Sequence, residues 1–566
     1  MKFRFILLIT IAVMSLSCGL LYGQADTTQK PDQQTATPAA APSKMDQIIE
    51  KIIQNEDAAG KRMVNFHPLV ETYIQNLDRD DQLTFVPKSD RYFLGKLDLD
   101  KQGKERSLMP APGFPQLFAK TITQLYSVQF LPAGFSQMLY IHGGLDRANY
   151  TFEYVRQEFL GEVRCLVFDV KPKPKTLGSF SGRIWAEDKG YNIVRINGTY
   201  GPSTMTKMYF HFDTWRENMG PGVWLPSYIY TEESDKGYFL GKRKLRFKGQ
   251  TRLWGYNVGR TAQTGEMTSL TVESDQVRDS ADEAEGISPV GALRAWERQA
   301  EDNVIQRLEK AALMAPDGEV NKVLETVLTN LEVTNNLDIA PEVRARVLLT
   351  SPLESFTIGH TVVLSRGLID VLPDEASLAT ILAHELAHIA LGHRIDTKYA
   401  FNDRMLFRDE DAFRNVDMKR NEKEEIEADK KAVEYLQNSP YKDKLANAGL
   451  FLRAVDERAR VLNHLLLPHI GTTMVKDSKV RRMADLLSTA PQLEMSRVDQ
   501  IAALPLGGRV RVDPWSAKVE LIKTKPVALL TPREKMPFEV TPIYLYLTRQ
   551  PAPQTTAATQ ASSTKE

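Results

Sequence analysis

Three of the nine histidines fall within ten residues, in the run His384-Glu385-Leu386-Ala387-His388-Ile389-Ala390-Leu391-Gly392-His393. The surrounding segment, Asp374–Leu391, predicts a helix. Pro373 and Asp374 start it, Glu375 suits its positive end, and Leu378, Ile381, Leu382, Leu386 and Ile389 recur at helical spacing. Side chains four apart on a helix project from one face, so the imidazoles of His384 and His388 can share one tetrahedral metal. Glu385 is turned by about 100° round the axis. It cannot easily join that ligand pair, but it can reach a water on the metal. Two histidines and a glutamate without function would be costly in so apolar a helix.

A catalytic metal of this kind takes a third protein ligand. His393 is a poor candidate, because nine positions from His384 it lies near the opposite side of a continuous helix. The metzincin spacing would need glycine at 391 and histidine at 394, where the chain has Leu391 and Arg394. His393 reads instead as a helix C-terminal residue beside Gly392. The acidic segment Glu422–Leu436 predicts a second helix. Its positions Glu425, Ala428, Asp429, Ala432, Val433 and Leu436 form one stripe, apolar apart from two acids. Glu427, Lys430, Lys431 and Glu434 form a charged solvent stripe, Glu424 falls between the two, and Glu422 sits at the frayed start. A carboxylate on a buried stripe needs a partner. Glu425 is therefore the expected third ligand, and Asp429, one turn on, the expected acceptor for a ligand histidine's other N–H. His384, Glu385 and His388 reproduce the H-E-x-x-H arrangement of zinc peptidases, with Glu385 as catalytic base and one Zn2+ per chain.

With Glu425-Ile426-Glu427-Ala428-Asp429 following His384–His388, residues 315–490 resemble the gluzincin metallopeptidase family. That family contains the HtpX heat-shock protease, the CAAX prenyl protease and periplasmic BepA-type proteases. The resemblance also covers Val347-Leu348-Leu349, Phe356-Thr357-Ile358-Gly359, Val362–Leu368 and Asp374-Glu375-Ala376. It implies Glu425 as third zinc ligand and an edge strand that binds extended substrate, mapping here to Thr357–Leu364; a core strand is the other reading of that segment. Three features depart from the pattern. Glu354-Ser355-Phe356 stands where Asn-Ala-Phe is common. Glu425 follows His388 by only 37 positions. The family's His-Pro ahead of an arginine appears only as Lys476-Asp477 ahead of Arg482. Arg482 is expected as a substrate or structural contact.

The elements that must position these groups divide the chain. An export signal is expected over 1–25: Lys2 and Arg4 precede an apolar run, and Gly23-Gln24-Ala25 offers a cleavage site. Lipid attachment at Cys18 is the competing reading, though Ser15 makes a poor lipidation box. A disordered linker (26–43), an N-terminal helical region (44–119, with helical periodicity over 44–77) and an antiparallel β domain (120–278) follow. The zinc peptidase domain is expected over 288–492, a C-terminal β segment over 500–549 and a disordered tail over 550–566. Within the β domain, Asp188-Lys189-Gly190 and Asp235-Lys236-Gly237 read as hairpin turns. Gly182–Ala186 with Tyr191–Arg195 loosely resembles the half-barrels of lipoprotein-sorting (LolA/LolB-like) proteins. The fold class is thus α+β, a mainly helical zincin-type domain joined to an antiparallel half-barrel.

Formal net charge is zero, with 72 basic and 72 acidic residues, which speaks against a nucleic-acid partner. The mature chain is expected to have no transmembrane helix, and a lone Cys165 reads as a small core residue. The sequence therefore leads to an exported zinc metalloendopeptidase of the periplasm or envelope, acting on protein or peptide substrates in quality control. The alternative is an envelope protein that binds lipid or lipoprotein in its β domain, with an attached or inactive peptidase domain.

Overall fold

In a computed structural model of the protein the described residues are 43–80, 84–97, 105–107, 136–141, 144–173, 179–200, 211–238, 243–256, 289–393, 412–494, 496–497, 499–522 and 538–550. The expected export signal, Cys18 and the tail beyond Gln550 lie outside them. Two compact units divide the chain after Gln47, and Ile48–Glu566 form one of them.

Helix α1 (Lys44–Met63) buries Ile49, Ile52 and Met63. It ends earlier than the expected periodicity, and the described residues that follow it, within the region expected to be helical up to residue 119, are mostly sheet. Strands β1 (Leu69–Asp80), β2 (Thr84–Leu97) and β3 (Glu105–Ser107) follow α1. The reason is burial on both faces. Every residue of β1 from Leu69 to Gln75 is buried, so the alternation that betrays a half-exposed strand is erased.

These strands join β4 (Tyr150–Leu160), β5 (Val163–Pro172), β6 (Phe180–Glu187), β7 (Ile193–Tyr200), β8 (His211–Gly220), β9 (Val223–Tyr238) and β10 (Arg243–Trp254). The ten form one antiparallel sheet in the order β3-β2-β1-β10-β9-β8-β7-β6-β5-β4, open between its two end strands. The fold is α+β, as expected. Asp188-Lys189-Gly190 turns between β6 and β7. Asp235-Lys236-Gly237 does not turn: Gly237 pairs with Lys244 inside the β9–β10 ladder. Cross-strand pairing carries the strand past that glycine, and the connection falls at 239–242, outside the described residues.

One face of the sheet packs on α1 and on the short α2 (Ser136–Leu139). Arg216 of β8 is buried there, donating to both oxygens of Glu56 at 2.7 and 2.8 Å and to the Leu139 carbonyl at 3.0 Å. The other face presents Tyr73, Cys165, Trp185, Trp215, Tyr228 and Trp254 to an apolar core shared with the second half of the chain.

That half contains α3 (Pro289–Lys310), α4 (Glu319–Thr334), β11 (Arg344–Leu348), β12 (Ser355–Ile358), β13 (Thr361–Ser365), α5 (Arg366–Val371), α6 (Glu375–Ala390) and α7 (Ala412–Asn415). Next come α8 (Glu422–Gln437), α9 (Leu445–Arg458), α10 (Asn463–Leu466), the ladder β14–β15 (Val475–Lys476, Lys479–Val480), α11 (Ala484–Thr489) and the hairpin β16–β17 (Val510–Val512, Val519–Leu521). The segment Thr357–Leu364 falls on two strands with different places. In the order β11-β13-β12, β12 is an edge and β13 is central.

Residues 538–550 run extended across the sheet without joining it. Gln75 brackets the start of this strap, donating to the Phe538 carbonyl at 2.8 Å and accepting from the Val540 amide at 2.9 Å. Tyr228 donates to the Thr541 carbonyl at 3.2 Å, and the Glu162 amide donates to the Leu547 carbonyl at 2.9 Å. Arg549 ends the strap on Glu187 and Asp188 at 2.8 and 3.0 Å.

A buried carboxylate ties the sheet to the helical half. Glu71 of β1 accepts from Ser351 Oγ at 2.7 Å, Arg366 Nη2 at 2.8 Å and Tyr92 Oη at 2.9 Å. Removing one member of a buried ion pair strands the other, at a cost of about 3–5 kcal/mol. Glu71→Ala is expected to lower stability by that order in chemical denaturation followed by tryptophan fluorescence. A midpoint unchanged from wild type would show that the junction does not hold the halves together.

Candidate metal centre

The helix expected over Asp374–Leu391 forms as α6. Asp374 caps it, accepting from the Ser377 amide at 2.8 Å, which satisfies one of the free N–H groups of the first turn. Its interior from Ala379 to His388 is buried, His384, Glu385 and His388 included. Helix α8 is capped by Asn421, accepting from the Glu424 amide at 3.0 Å. Ala428 and Ala432 are fully buried, and these small side chains let α8 lie close against α6. Glu425 sits in the first turn of α8, where the helix dipole favours negative charge.

The packing brings His384, His388 and Glu425 together. The two Nε2 atoms are 3.1 Å apart, Glu425 Oε2 is 3.3 Å from His384 Nε2, and Glu425 Oε1 is 3.5 Å from His388 Nε2. A tetrahedral zinc with bonds of about 2.0–2.1 Å would set its ligand atoms roughly 3.3 Å apart, so the observed spacings suit one. Glu425 Oε1 is buried and has no hydrogen-bond partner among the described residues, as a carboxylate oxygen reserved for a cation would be. These three residues could hold one metal ion.

Burial, the largest influence on His388, pulls its imidazole down to about 4 against the opposing Glu425. The ring is then neutral near pH 7, the form that binds metal. Burial alone would raise Glu425, but the Arg482 guanidinium and the two imidazoles beside it hold it well below the usual carboxylate range. Burial and Arg482 lower His384, yet the carboxylates of Asp429 and Glu425 outweigh them.

Each expected residue has a defined place. Asp429 Oδ1 lies 2.8 Å from His384 Nδ1. Glu385 is held through Oε1, which accepts from Ser355 Oγ at 2.7 Å and from Arg482 Nη1 at 3.2 Å. Arg482 also donates to Ser355 Oγ at 2.6 Å and lies 3.5 Å from Glu425 Oε2. The residue expected as a substrate or structural contact therefore touches both Glu385 and Glu425.

Sequence reasoning missed five residues here. Ser355 comes from the edge strand and was noted only as a departure from a family pattern. Its neighbour Glu354 accepts the amides of Ile470 and Gly471 at 2.7 and 2.9 Å, pinning the loop that runs beside β12. A Cβ on Gly471 would meet the Ser355 carbonyl oxygen at 2.7 Å, so glycine allows that approach. Arg420 bridges the Thr357 hydroxyl on β12 and the His393 carbonyl. Glu427, read as a solvent-stripe residue, is half exposed but places Oε2 3.3 Å from His393 Nε2. Nothing in local periodicity signals these contacts, which arise from the packing of distant segments.

Residues 317–408 match the model of Peptidase family M48. The M48 match covers His384, Glu385 and His388 and ends before Glu425, Asp429 and Arg482, and it agrees with the gluzincin resemblance drawn from the sequence. A LolA superfamily protein from Nitrosomonas europaea is similar at 13% identity over 37% of this chain and 90% of its own, with a TM-score of 0.21. A domain described as outer-membrane lipoprotein-sorting, from Vibrio parahaemolyticus, is similar at 8% identity over 36% of this chain and 93% of its own, with a TM-score of 0.18. No curated protein matches.

The geometry ranks the acids of α8. Glu425→Ala is expected to weaken zinc binding most, since it deletes one of three candidate ligands. Asp429→Ala should weaken it about ten- to a hundred-fold, the usual effect of losing an outer partner of a ligand histidine. Glu424→Ala should leave it near wild type. Zinc titration against a competing chelator measures all three, and Glu424→Ala as the most damaging would break the assignment.

Proposed function

We propose that the protein is a zinc metalloendopeptidase. The observation that carries this reading is the meeting of His384 Nε2, His388 Nε2 and Glu425 at zinc-ligand spacing, directly beside Glu385. The M48 match supports a peptidase. Zinc bound there would polarise the scissile carbonyl and lower the pKa of an attacking water.

The chain's own residues supply the rest. Asp429 accepts the Nδ1–H of His384 and so presents Nε2 to the metal. Ser355 and Arg482 both anchor Oε1 of Glu385, which leaves Oε2 to take the proton of the water and deliver it to the leaving amine. Arg482 places its positive charge beside both Glu385 and Glu425 and holds the Glu425 carboxyl well below the usual carboxylate range. The edge strand β12 lies against α6; it is buried along its length with the Gly471 loop beside it, so main-chain pairing of an extended substrate there would require that loop to move. Substrates would be proteins of the cell envelope, in quality control, if the N-terminal segment exports the chain. Among the described residues no helix is long and apolar enough to cross a membrane.

A second reading is a lipid- or lipoprotein-binding protein. It is favoured by a cavity of about 500 Å³ between β8–β10 and the C-terminal hairpin, lined by Tyr228, Trp254 and Trp515 together with the charged Arg252, Arg366 and Asp513. Lipid co-purifying with a zinc-free, inactive chain would favour it.

Purified protein should carry about one zinc per chain, and Glu385→Gln should keep that zinc while losing cleavage of an unfolded protein such as casein. Elemental analysis and a gel assay decide this. A Glu385→Gln variant cleaving at wild-type rate removes the proposed role. Ser355→Ala should retain zinc and slow cleavage roughly ten- to a hundred-fold, the kinetic equivalent of one hydrogen bond to a charged group at about 1.5–3 kcal/mol. An unchanged rate would show that Ser355 does not position Glu385.

A further inference from the structure

The second histidine of the motif has its own outer support. The helix α6 ends at Gly392, whose φ of +68° places it in the left-handed region that favours glycine. The chain then folds back, and the His393 amide donates to the His388 carbonyl at 3.0 Å. This turn lays the His393 ring against the His388 ring, with Nδ1 facing Nδ1 at 3.0 Å. On its far side His393 Nε2 lies 3.3 Å from Glu427 Oε2. Arg420 fixes the His393 backbone by donating to its carbonyl.

We propose that His393 and Glu427 are positioning residues for His388, forming a relay parallel to the Asp429 contact of His384. This rests on the reading of His384, His388 and Glu425 as a metal centre. The tautomers follow from valence. A His388 that offers Nε2 to a metal carries its proton on Nδ1. The facing His393 Nδ1 must then accept, so His393 carries its proton on Nε2, and that proton points at the Glu427 carboxylate. Every nitrogen in the line has a consistent role, and the line fixes both the ring orientation and the tautomer of His388. Each ligand histidine is thereby oriented by a carboxylate, one directly through Asp429 and one through an intervening imidazole.

The test is zinc affinity of the metal-stripped full-length chain, measured by competition with a chelator, for wild type, His393→Ala, His393→Asn and Glu427→Ala. His393→Ala should bind zinc about ten- to a hundred-fold more weakly. Asparagine can place an oxygen acceptor near the position of Nδ1, so His393→Asn should recover most of that loss. Glu427→Ala, removing a half-exposed partner, should cost about two- to fivefold. Melting of the metal-free chain should be the same for all four. Zinc bound equally by wild type and His393→Ala overturns the inference, as does a His393→Asn no tighter than His393→Ala or a metal-free His393→Ala that melts well below wild type. A wild-type chain that takes up no zinc instead removes the metal centre itself, and this relay with it.

Discussion

Arg482 is fully buried, and its guanidinium lies 3.2 Å from Glu385 and 3.5 Å from Glu425. The cluster gathers three carboxylates, with Asp429, around two imidazoles. Gathered carboxylates repel one another and are costly away from water unless a positive charge lies among them. An arginine serves where a lysine would not. It cannot lose its proton under these conditions, and its several N–H groups reach two carboxylates, a serine and a carbonyl from one plane. The positions of Ser355, Thr472 and α8 are all set around this one group.

The sheet is part of that arrangement. Glu71 holds Ser351 and Arg366, which flank the strands carrying Ser355. Asp90 accepts the amides of His464 and Leu465 at 3.0 and 2.8 Å, and Tyr92 stacks on His469 with centroids 5.5 Å apart. His469 begins the loop that Glu354 pins beside the edge strand. The route from β1 and β2 to the candidate centre therefore consists of buried, directional contacts. Deforming the sheet would move the loop that supports Arg482.

What the sequence disclosed and what it withheld follow from the range of the interactions. The spacing of His384, Glu385 and His388 is local to one helix, and the stripe that singles out Glu425 and Asp429 is local to another, so both were legible. Ser355, Arg420 and the His393–Glu427 contact depend on how segments distant in the chain meet, and periodicity carries no record of that. On a continuous helix His393 falls off the face shared by His384 and His388. The return of its ring to His388 follows from the left-handed Gly392, a step beyond the helix. β1 escaped notice for a different reason: its polar residues, Glu71 and Gln75, are buried and paired, so they look like a helix's wet face.

The strap of residues 538–550 has a consequence for the order in which the molecule can be completed. Arg549 and its partner Glu187 are 362 residues apart in the chain. The sheet is complete only at Trp254, 284 residues before Phe538, so at about 5–20 residues per second of synthesis it would wait roughly 14–57 s for the segment that closes over it. During that interval the face carrying Trp215 and Tyr228 lacks its last cover, and a chain cut short before Phe538 would keep it bare. The ten strands are therefore not a detachable module. They are a surface whose finishing piece is encoded at the far end of the same chain, so the integrity of the C-terminal residues reports on whether the earliest strands have been properly enclosed.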